Sequence, residues 1–382
     1  MAYYIQRGEI PPKRHTQFRD ADGALRYEEL VSRQGFSGVY SNLYHLHMAS
    51  RMTAVGEFKA VAREAAAETH RHRHLRTANV ASSGDAISSR RLLMFNADVA
   101  IYKAHVDQSM TTFYRNGHGD ELLFVHTGRG TLHTNMGRLD YDEGDYLVIP
   151  RGIIWQLQVE QPTRFLVLAS RGPVETPDRY RNKHGQLLET SPYCERDIRT
   201  PEFVPAIDEE GEFPVLVALT GGTQEYIYAQ HPFDVVGWDG LNYPWAFNIG
   251  DFEPITGRIH QPPPVHQTFQ AAGLVICSFV PRLFDYHPDA IPAPYYHSNV
   301  ESDEIIFYSR GEFMSRKGIE EESITLHPAG LPHGPQPGMY EGSIGKRETS
   351  ELAVMVDTFA PLELAPAALE VDDPDYPLSW LG

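Results

Sequence analysis

Two histidines and one acid lie in the last third of the chain in a pattern that could hold a metal ion. His297 precedes Glu304 by six intervening residues, and His333 follows a short turn containing Pro and Gly. Two neutral imidazoles and one carboxylate can bind one face of a metal and leave the other face open for reactants. This donor set suits Fe(II) and contains no cysteine, unlike most closed structural zinc sites. The three residues are therefore predicted to bind Fe(II).

Two neighbouring acids compete for the carboxylate position. Six residues separate Glu304 from Gly311, and the same step recurs in the first half of the chain, between Glu121 and Gly128. This shared spacing favours Glu304, and Asp303 remains the alternative ligand.

Short β-rich segments must position these side chains. From about residue 92, and again from about residue 254, runs of alternating apolar and polar residues end at turn-forming residues, which is typical of strands. Side chains on adjacent strands of a small barrel can point inward and meet. We expect a mainly β, bicupin-like fold of two β-barrel or sandwich domains with few short helices. The predicted domains are residues 1–252 and 253–382, and the second carries the iron.

The first half contains an incomplete copy of the metal motif. His118 and Glu121 precede a turn at 150–152, and Trp155 stands where the second copy has His333. Trp cannot ligate a metal, because its indole nitrogen is only a hydrogen-bond donor. The first barrel is therefore predicted to be metal-free.

Two interpretations concern the region before the first β-series. Residues 53–70 are rich in good helix formers and predict a helix. The HRHRH run at 70–74 is similar to metal-binding tracts, but we interpret it as a solvated basic loop.

Composition excludes several classes of partner. The formal net charge of −18 disfavours nucleic acid and anionic membrane surfaces. Two cysteines are too few for a disulfide framework, and no apolar run is long enough to span a membrane. We expect a cytoplasmic protein. An anionic substrate would need local positive charge at its site.

Several longer motifs resemble the homogentisate 1,2-dioxygenase family. They include YIQRGEIPPKRHTQF, PPPVHQTF, PAPYYHSN and ITLHPAGLPHGP, and the resemblance is strongest over residues 258–362. It implies an Fe(II)-dependent enzyme that opens the ring of homogentisate with O2 to give maleylacetoacetate, in tyrosine and phenylalanine catabolism. It also implies assembly into trimers or hexamers.

The resemblance assigns further residues. It places an acid/base histidine at His260 and a histidine of the pocket at His327. At Phe313 the family carries a tyrosine that contacts the substrate carboxylate, so Arg316 or Lys317 is expected to take over that contact. Tyr296, beside His297, is a further candidate for substrate contact.

Three alternative functions remain open at this point. The same chemistry could act on another hydroquinone- or gentisate-type acid, since Phe313 lacks the tyrosine hydroxyl. A metal-dependent cupin isomerase and a non-catalytic binding protein are also compatible, because a fold does not determine a function.

Overall fold

Strands form most of the regular structure in the computed structural model, which describes residues 3–381. In chain order they are β1 (Ile5–Gly8), β2 (Tyr27–Ser32), β3 (Tyr40–His45), β4 (Met52–Val55), β5 (Lys59–Ala60), β6 (Arg73–Arg76), β7 (Arg91–Phe95), β8 (Val99–Val106), β9 (Phe113–Asn116), β10 (Asp120–Thr134), β11 (Gly137–Tyr141), β12 (Asp145–Ile149), β13 (Ile154–Ser170), β14 (Ile198–Arg199), β15 (Glu210–Leu219), β16 (Gly222–Gln230), β17 (Val235–Gly240), β18 (Trp245–Asn248), β19 (Gln267–Ala271), β20 (Leu274–Phe279), β21 (Arg282–Leu283), β22 (Asp303–Arg310), β23 (Ser323–His327), β24 (Glu348–Thr349), β25 (Leu352–Thr358) and β26 (Glu363–Leu364).

Helices are few and short. Over residues 3–381 the α-helices are α1 (Met339–Ser343) and α2 (Pro366–Leu369). Single 3-10 turns occur at Thr77–Asn79, Asp178–Tyr180, Glu195–Asp197, Ile249–Asp251, Pro263–His266 and Tyr376–Trp380. In this part of the chain no helix is long and apolar enough to cross a membrane.

The strands assemble into two large sheets and two small ones. A fourteen-stranded sheet follows the order β14-β18-β12-β10-β13-β9-β15-β16-β4, with β5, β7, β8, β11 and β26 attached to it. A six-stranded sheet has the order β19-β20-β25-β22-β23-β6. A four-stranded sheet, β1-β17-β3-β2, and the pair β21-β24 complete the fold. The predicted mainly β, bicupin-like class is confirmed.

The two large sheets share one hydrophobic core, since buried apolar side chains from both belong to a single cluster. The rings of Phe124 on β10 and Phe307 on β22 lie 6.1 Å apart, edge to face. The hydroxyl groups of Tyr146 and Ser278 hydrogen-bond at 2.9 Å. The two halves of the chain are therefore packed against each other at the centre of the molecule.

Strand register reveals the internal duplication. Glu121 on β10 lies opposite Ile149 on β12, and Glu304 on β22 lies opposite His327 on β23. A turn follows in each half, and six residues after Ile149 and His327 come Trp155 and His333. The sequence alignment of the two halves therefore agrees with their strand pairing.

Two strands pair with a sheet formed mainly by the other half of the sequence. Strand β6 pairs with β23 and extends the six-stranded sheet, and β26 pairs with β7 in the fourteen-stranded sheet. The domain boundary between residues 252 and 253 stays a prediction, and both of these strand pairings join residues from opposite sides of it.

The helix predicted over residues 53–70 is wrong. Strand β4 pairs with β16, and Lys59–Ala60 does the same. The backbone N–H of Gly56 donates to Glu225, and that of Ala66 donates to Leu364. Hydrogen bonds to distant strands outweigh helix propensity, which is a weak preference for a short segment.

The solvated loop predicted for residues 70–74 is wrong at Arg73 and His74, whereas His70 is exposed and lies outside any strand. Arg73 begins β6, is buried and forms an ion pair with Asp372. His74 is buried and hydrogen-bonds Ser323 at 2.9 Å. Arg73 and His74 therefore belong to a buried edge strand, and Asp372 and Asp373 compensate the charges of the arginines around it.

Candidate metal centre

His297, Glu304 and His333 converge at one point. Each offers one ligand atom, and these atoms all lie within 4.8 Å of one another. His297 Nε2 lies 3.8 Å from Glu304 Oε2, and His333 Nε2 lies 3.6 Å from Glu304 Oε1. The structure thus brings together the three residues predicted as ligands.

Backbone pairing holds the two histidines side by side. The N–H of His297 donates to the carbonyl of His333 at 2.9 Å, and the reverse bond is 2.8 Å long. Their rings are 4.2 Å apart. The Pro-rich chain before β22 is thereby tied to the turn after β23, although neither segment is a regular strand.

Carbonyl groups fix which ring nitrogen faces the centre. Nδ1 of His297 donates to the carbonyl of Tyr295 at 3.3 Å, and Nδ1 of His333 donates to that of Leu331 at 3.1 Å. Because a carbonyl only accepts, both rings carry their proton on Nδ1 and present an unprotonated Nε2. His333 Nε2 is buried without a hydrogen-bond partner. An orphaned imidazole nitrogen beside a carboxylate fits a metal ion.

Glu304 is held in its ionised form. Burial raises the pKa of this carboxyl, but the hydrogen bond from His327 and the neighbouring imidazoles of His297 and His333 outweigh burial and keep its pKa well below the usual range. A carboxylate ligand is needed in this charged state.

Asp303 has a different role in the structure. Its carboxylate is buried and accepts hydrogen bonds from the backbone N–H groups of Ala329 and Leu362, both at 2.7 Å. It does not belong to the group of converging side chains. Alternation along β22 sends Asp303 and Glu304 to opposite faces, so Glu304 is the acid that the geometry favours.

His327 and Arg316 form a layer behind Glu304. His327 is fully buried and donates from Nδ1 to Glu304 Oε1 at 2.7 Å. Its Nε2 accepts from Arg316 Nη2 at 3.3 Å. Burial lowers the pKa of His327 to about 3, and the charge of Arg316 acts in the same direction against the hydrogen bond to Glu304. His327 is therefore neutral and orients the carboxylate.

A cavity of about 530 Å³ opens in front of the three converging residues. Its lining includes the predicted residues His260, Phe313 and Arg316, along with Tyr295. This volume is sufficient for a small aromatic acid.

His260 stands at the exposed side of this cavity. Its ring lies 5.2 Å from that of Tyr295, and its Nδ1 is 3.6 Å from Asp285 Oδ2. Half of its side chain is solvent-accessible. Tyr296, in contrast, is exposed, stacks on Tyr340 and is not among the residues that line the cavity.

Arg316 brings positive charge to an otherwise acidic protein. Its guanidinium donates to the carbonyl of Gly334 at 2.7 Å and lies over the ring of Trp380. Over residues 3–381 no carboxylate forms a salt bridge with it, and its Nε is buried without a hydrogen-bond partner. A buried cation that no carboxylate contacts directly suits a site for a substrate carboxylate.

Two residues of this region were missed from sequence. Asp357 on β25 lies opposite Glu304 and lines the cavity. Burial and the charge of Glu304 raise its pKa to about 7, against the effect of His297. Its only sequence signal is an acid directly after the apolar run LAVMV. His72 contacts the rings of His327 and His333, and no local pattern predicts this.

In the first half, the position that corresponds to the candidate metal site is occupied by side chains. Glu121 is fully buried, and Arg90 donates to it from Nη1 at 2.5 Å. Tyr114 and Asn116 each donate to it at 3.2 Å. Trp155 packs edge to face on Tyr114, and His118 instead hydrogen-bonds Thr220.

Comparisons with known proteins agree with the motifs. The family model described as homogentisate 1,2-dioxygenase N-terminal matches residues 75–249. A protein of Saccharolobus solfataricus named "putative dioxygenase" is 44% identical over 100% of this chain and 99% of its own length. Homogentisate 1,2-dioxygenase of Rhizobium meliloti is 27% identical over 79% of this chain and 68% of its own length. A cupin 2 conserved barrel domain protein from Leptotrichia buccalis aligns with 79% of this chain and 100% of its own, with a TM-score of 0.33 and 9% identity.

The relative that is 44% identical over the entire chain, together with the matched family model, places this protein among dioxygenases. The chain therefore belongs to the homogentisate 1,2-dioxygenase family, and this membership supports its assignment as a ring-cleaving dioxygenase.

Proposed function

We propose that this protein binds Fe(II) through His297, Glu304 and His333 and opens the ring of homogentisate with O2 to give maleylacetoacetate. The observation that carries the proposal is the convergence of these three side chains beside a cavity. When bound, Fe(II) supplies open coordination positions and a path for electrons from the ring to O2. Both oxygen atoms of O2 end in the product.

The protein groups around this centre then have distinct tasks. His327 orients Glu304 by its 2.7 Å hydrogen bond. Arg316 binds the substrate carboxylate and compensates its charge within a protein of net charge −18. His260 accepts a phenolic proton, a task suited to imidazole at neutral pH, and Asp285 stabilises the imidazolium that results.

One observation supports a second substrate class. Phe313 lines the cavity and packs on Tyr308 with ring centroids 4.5 Å apart, without a hydroxyl group to donate to a carboxylate. A gentisate-type acid, whose carboxylate is attached directly to the ring, is therefore the alternative substrate. The roles of Tyr296, the trimeric or hexameric assembly and a cytoplasmic location stay predictions.

The decisive experiment is anaerobic loading with Fe(II), followed by addition of O2 and each of homogentisate, gentisate and hydroquinone. We expect O2 uptake and product absorbance with homogentisate at one iron per chain. A preference for gentisate would transfer the assignment to the second class. No O2 uptake with any of the three by fully loaded protein, or turnover with zinc that consumes no oxygen, would contradict the dioxygenase proposal.

A further inference from the structure

A second cavity, of about 550 Å³, lies in the N-terminal half and shares no lining residue with the candidate metal centre. Part of its lining comes from β2 and the end of β3, and part comes from β9 and the start of β13. The turn at 150–152 and the end of β16 contribute the remaining sides. The cavity is thus lined by residues of both the four-stranded and the fourteen-stranded sheet.

Four arginines line this cavity: Arg33, Arg115, Arg151 and Arg171. Arg33 is paired with Asp120 at 2.6 Å. None of the other three forms a salt bridge with an acid in the described part of the chain, and Arg115 has only a long hydrogen bond to Tyr228. In a protein of net charge −18, three uncompensated guanidinium groups around one cavity form an isolated positive site.

The two acids that line the cavity do not cancel this charge. Glu29 and Asp234 both hydrogen-bond His45, at 3.0 and 2.6 Å. Burial opposes protonation of His45, but these two acids raise its pKa to about 9. The acids are therefore largely satisfied by a buried imidazolium, and the arginines remain available for a ligand.

Unpartnered polar atoms supply the second observation. Asn135, Gln230 and Ser32 line the cavity. The amide oxygens of the first two and the hydroxyl of Ser32 are buried and have no hydrogen-bond partner in residues 3–381. Gln230 is 97% buried, and its orientation is fixed because Nε2 donates to the carbonyl of Met48 at 3.1 Å. A buried acceptor without a donor is costly, and a ligand hydroxyl group would satisfy it.

We propose that this cavity is a binding site for a small organic anion that carries hydroxyl groups. The carboxylate or phosphate contacts Arg115, Arg151 and Arg171, and the hydroxyl groups donate to Asn135 and Gln230. Guanidinium groups bind carboxylates and phosphates with paired, charge-assisted hydrogen bonds. The volume lies within the usual range for sites of small ligands.

The test measures binding by calorimetry with the iron-loaded protein under anaerobic conditions. The probes are gluconate, glucose 6-phosphate, hexanoate and glucose. The first two combine an anion with hydroxyl groups, and the last two have only one of these features. We expect saturable binding of gluconate, glucose 6-phosphate or both, at least tenfold tighter than hexanoate and glucose.

Two variants assign the binding to this cavity. Arg151 and Arg171 are exposed, so Arg151→Gln/Arg171→Gln is expected to fold and to weaken binding at least tenfold. Arg129→Gln/Arg196→Gln changes the net charge equally at exposed positions outside the cavity and is expected to bind as the unmodified protein does.

A further variant tests recognition of the hydroxyl groups. Gln230→Leu removes the buried acceptor and is expected to weaken gluconate binding while leaving hexanoate binding unchanged. If neither hydroxylated anion binds, or if Arg151→Gln/Arg171→Gln binds them as tightly as the unmodified protein, the proposal is wrong.

Discussion

Two adjacent acids on β22 illustrate how strand geometry separates a ligand from a structural carboxylate. Asp303 accepts two backbone N–H groups, whereas Glu304 faces His297 and His333. The types and spacing of these residues predict the site, but both acids remain candidates in sequence. Which acid faces the cavity depends on strand register.

We therefore expect opposite results from Glu304→Gln and Asp303→Asn. Glu304→Gln should lose Fe(II) binding and O2 uptake while the fold persists, because the amide oxygen is a weaker, uncharged donor. Asp303→Asn should retain one iron per chain but lose about 2 kcal/mol of stability, because the charged acceptor of two backbone N–H groups is replaced by a neutral amide. Iron content and urea unfolding measure the two effects. Loss of iron in folded Asp303→Asn together with full loading of Glu304→Gln would reverse the assignment.

Arg316→Gln should weaken recognition of the substrate carboxylate. A charge-assisted hydrogen bond contributes about 1.5–3 kcal/mol, so KM for homogentisate is expected to rise about tenfold or more. Hydroquinone has no carboxylate and serves as the control substrate, because any disturbance of His327 affects both substrates. An equal change of KM for both would contradict a role in carboxylate binding.

At the scale of elements, the duplicated glycines show how much of the fold can be read from sequence. Gly128 and Gly311 both adopt positive φ, +94° and +84°. A Cβ at either position would overlap a backbone carbonyl oxygen, of Pro162 and of Ser350 respectively. The equal Glu-to-Gly steps therefore reflect a backbone requirement of both halves, which explains why the spacing is a reliable guide to the repeat.

Gly311→Ala should consequently destabilise the protein by about 3 kcal/mol or more. The alanine incurs both the left-handed backbone cost, about 1–2 kcal/mol, and the overlap with Ser350. Gly318→Ala is the matched control, because Gly318 has φ +69° and free space around its Cβ position. It should lose only about 1 kcal/mol. Equal losses in urea unfolding would show that the overlap is relieved by small shifts.

Other elements could not be predicted, because their conformation depends on distant partners. Residues 53–70 have helical composition, yet their hydrogen bonds go to β16 and to the segment of Leu364. Arg73 is a basic residue in a polar run, yet Asp372 compensates its charge inside the structure. Local propensity carries no information about such contacts, which join residues far apart in the sequence.

At the scale of the whole molecule, buried histidines of two kinds make stability depend on pH. His45 has its pKa raised to about 9 by Asp234 and Glu29, against the effect of burial. Its stabilising contribution is complete below the unfolded-state pKa of about 6.5 and is lost as pH rises through 9. Burial lowers the pKa of His126 to about 4 and that of His266 to about 3. Their contributions are complete above about pH 6.5 and are lost as pH falls toward these values.

The metal-free protein is therefore expected to be most stable near pH 7. His45→Gln should lack the decrease in stability at alkaline pH that His45 causes. The difference in unfolding free energy between this variant and the unmodified protein should therefore shrink between about pH 6.5 and 9. The expected change is on the order of 2 kcal/mol. Urea unfolding at closely spaced pH values measures it. A difference that is constant over this range would contradict a charged His45.

The pairing of β6 with β23 also has a consequence for biosynthesis. The segment 73–76 is translated about 250 residues before its partner at 323–327. At the usual elongation speed it waits roughly 10 to 50 s in the cell without the strand it must join. The rings that contact His327 and His333 thus include that of His72, which emerges from the ribosome long before they do. The six-stranded sheet to which β6 belongs is therefore completed late, only after the chain has been made as far as β25.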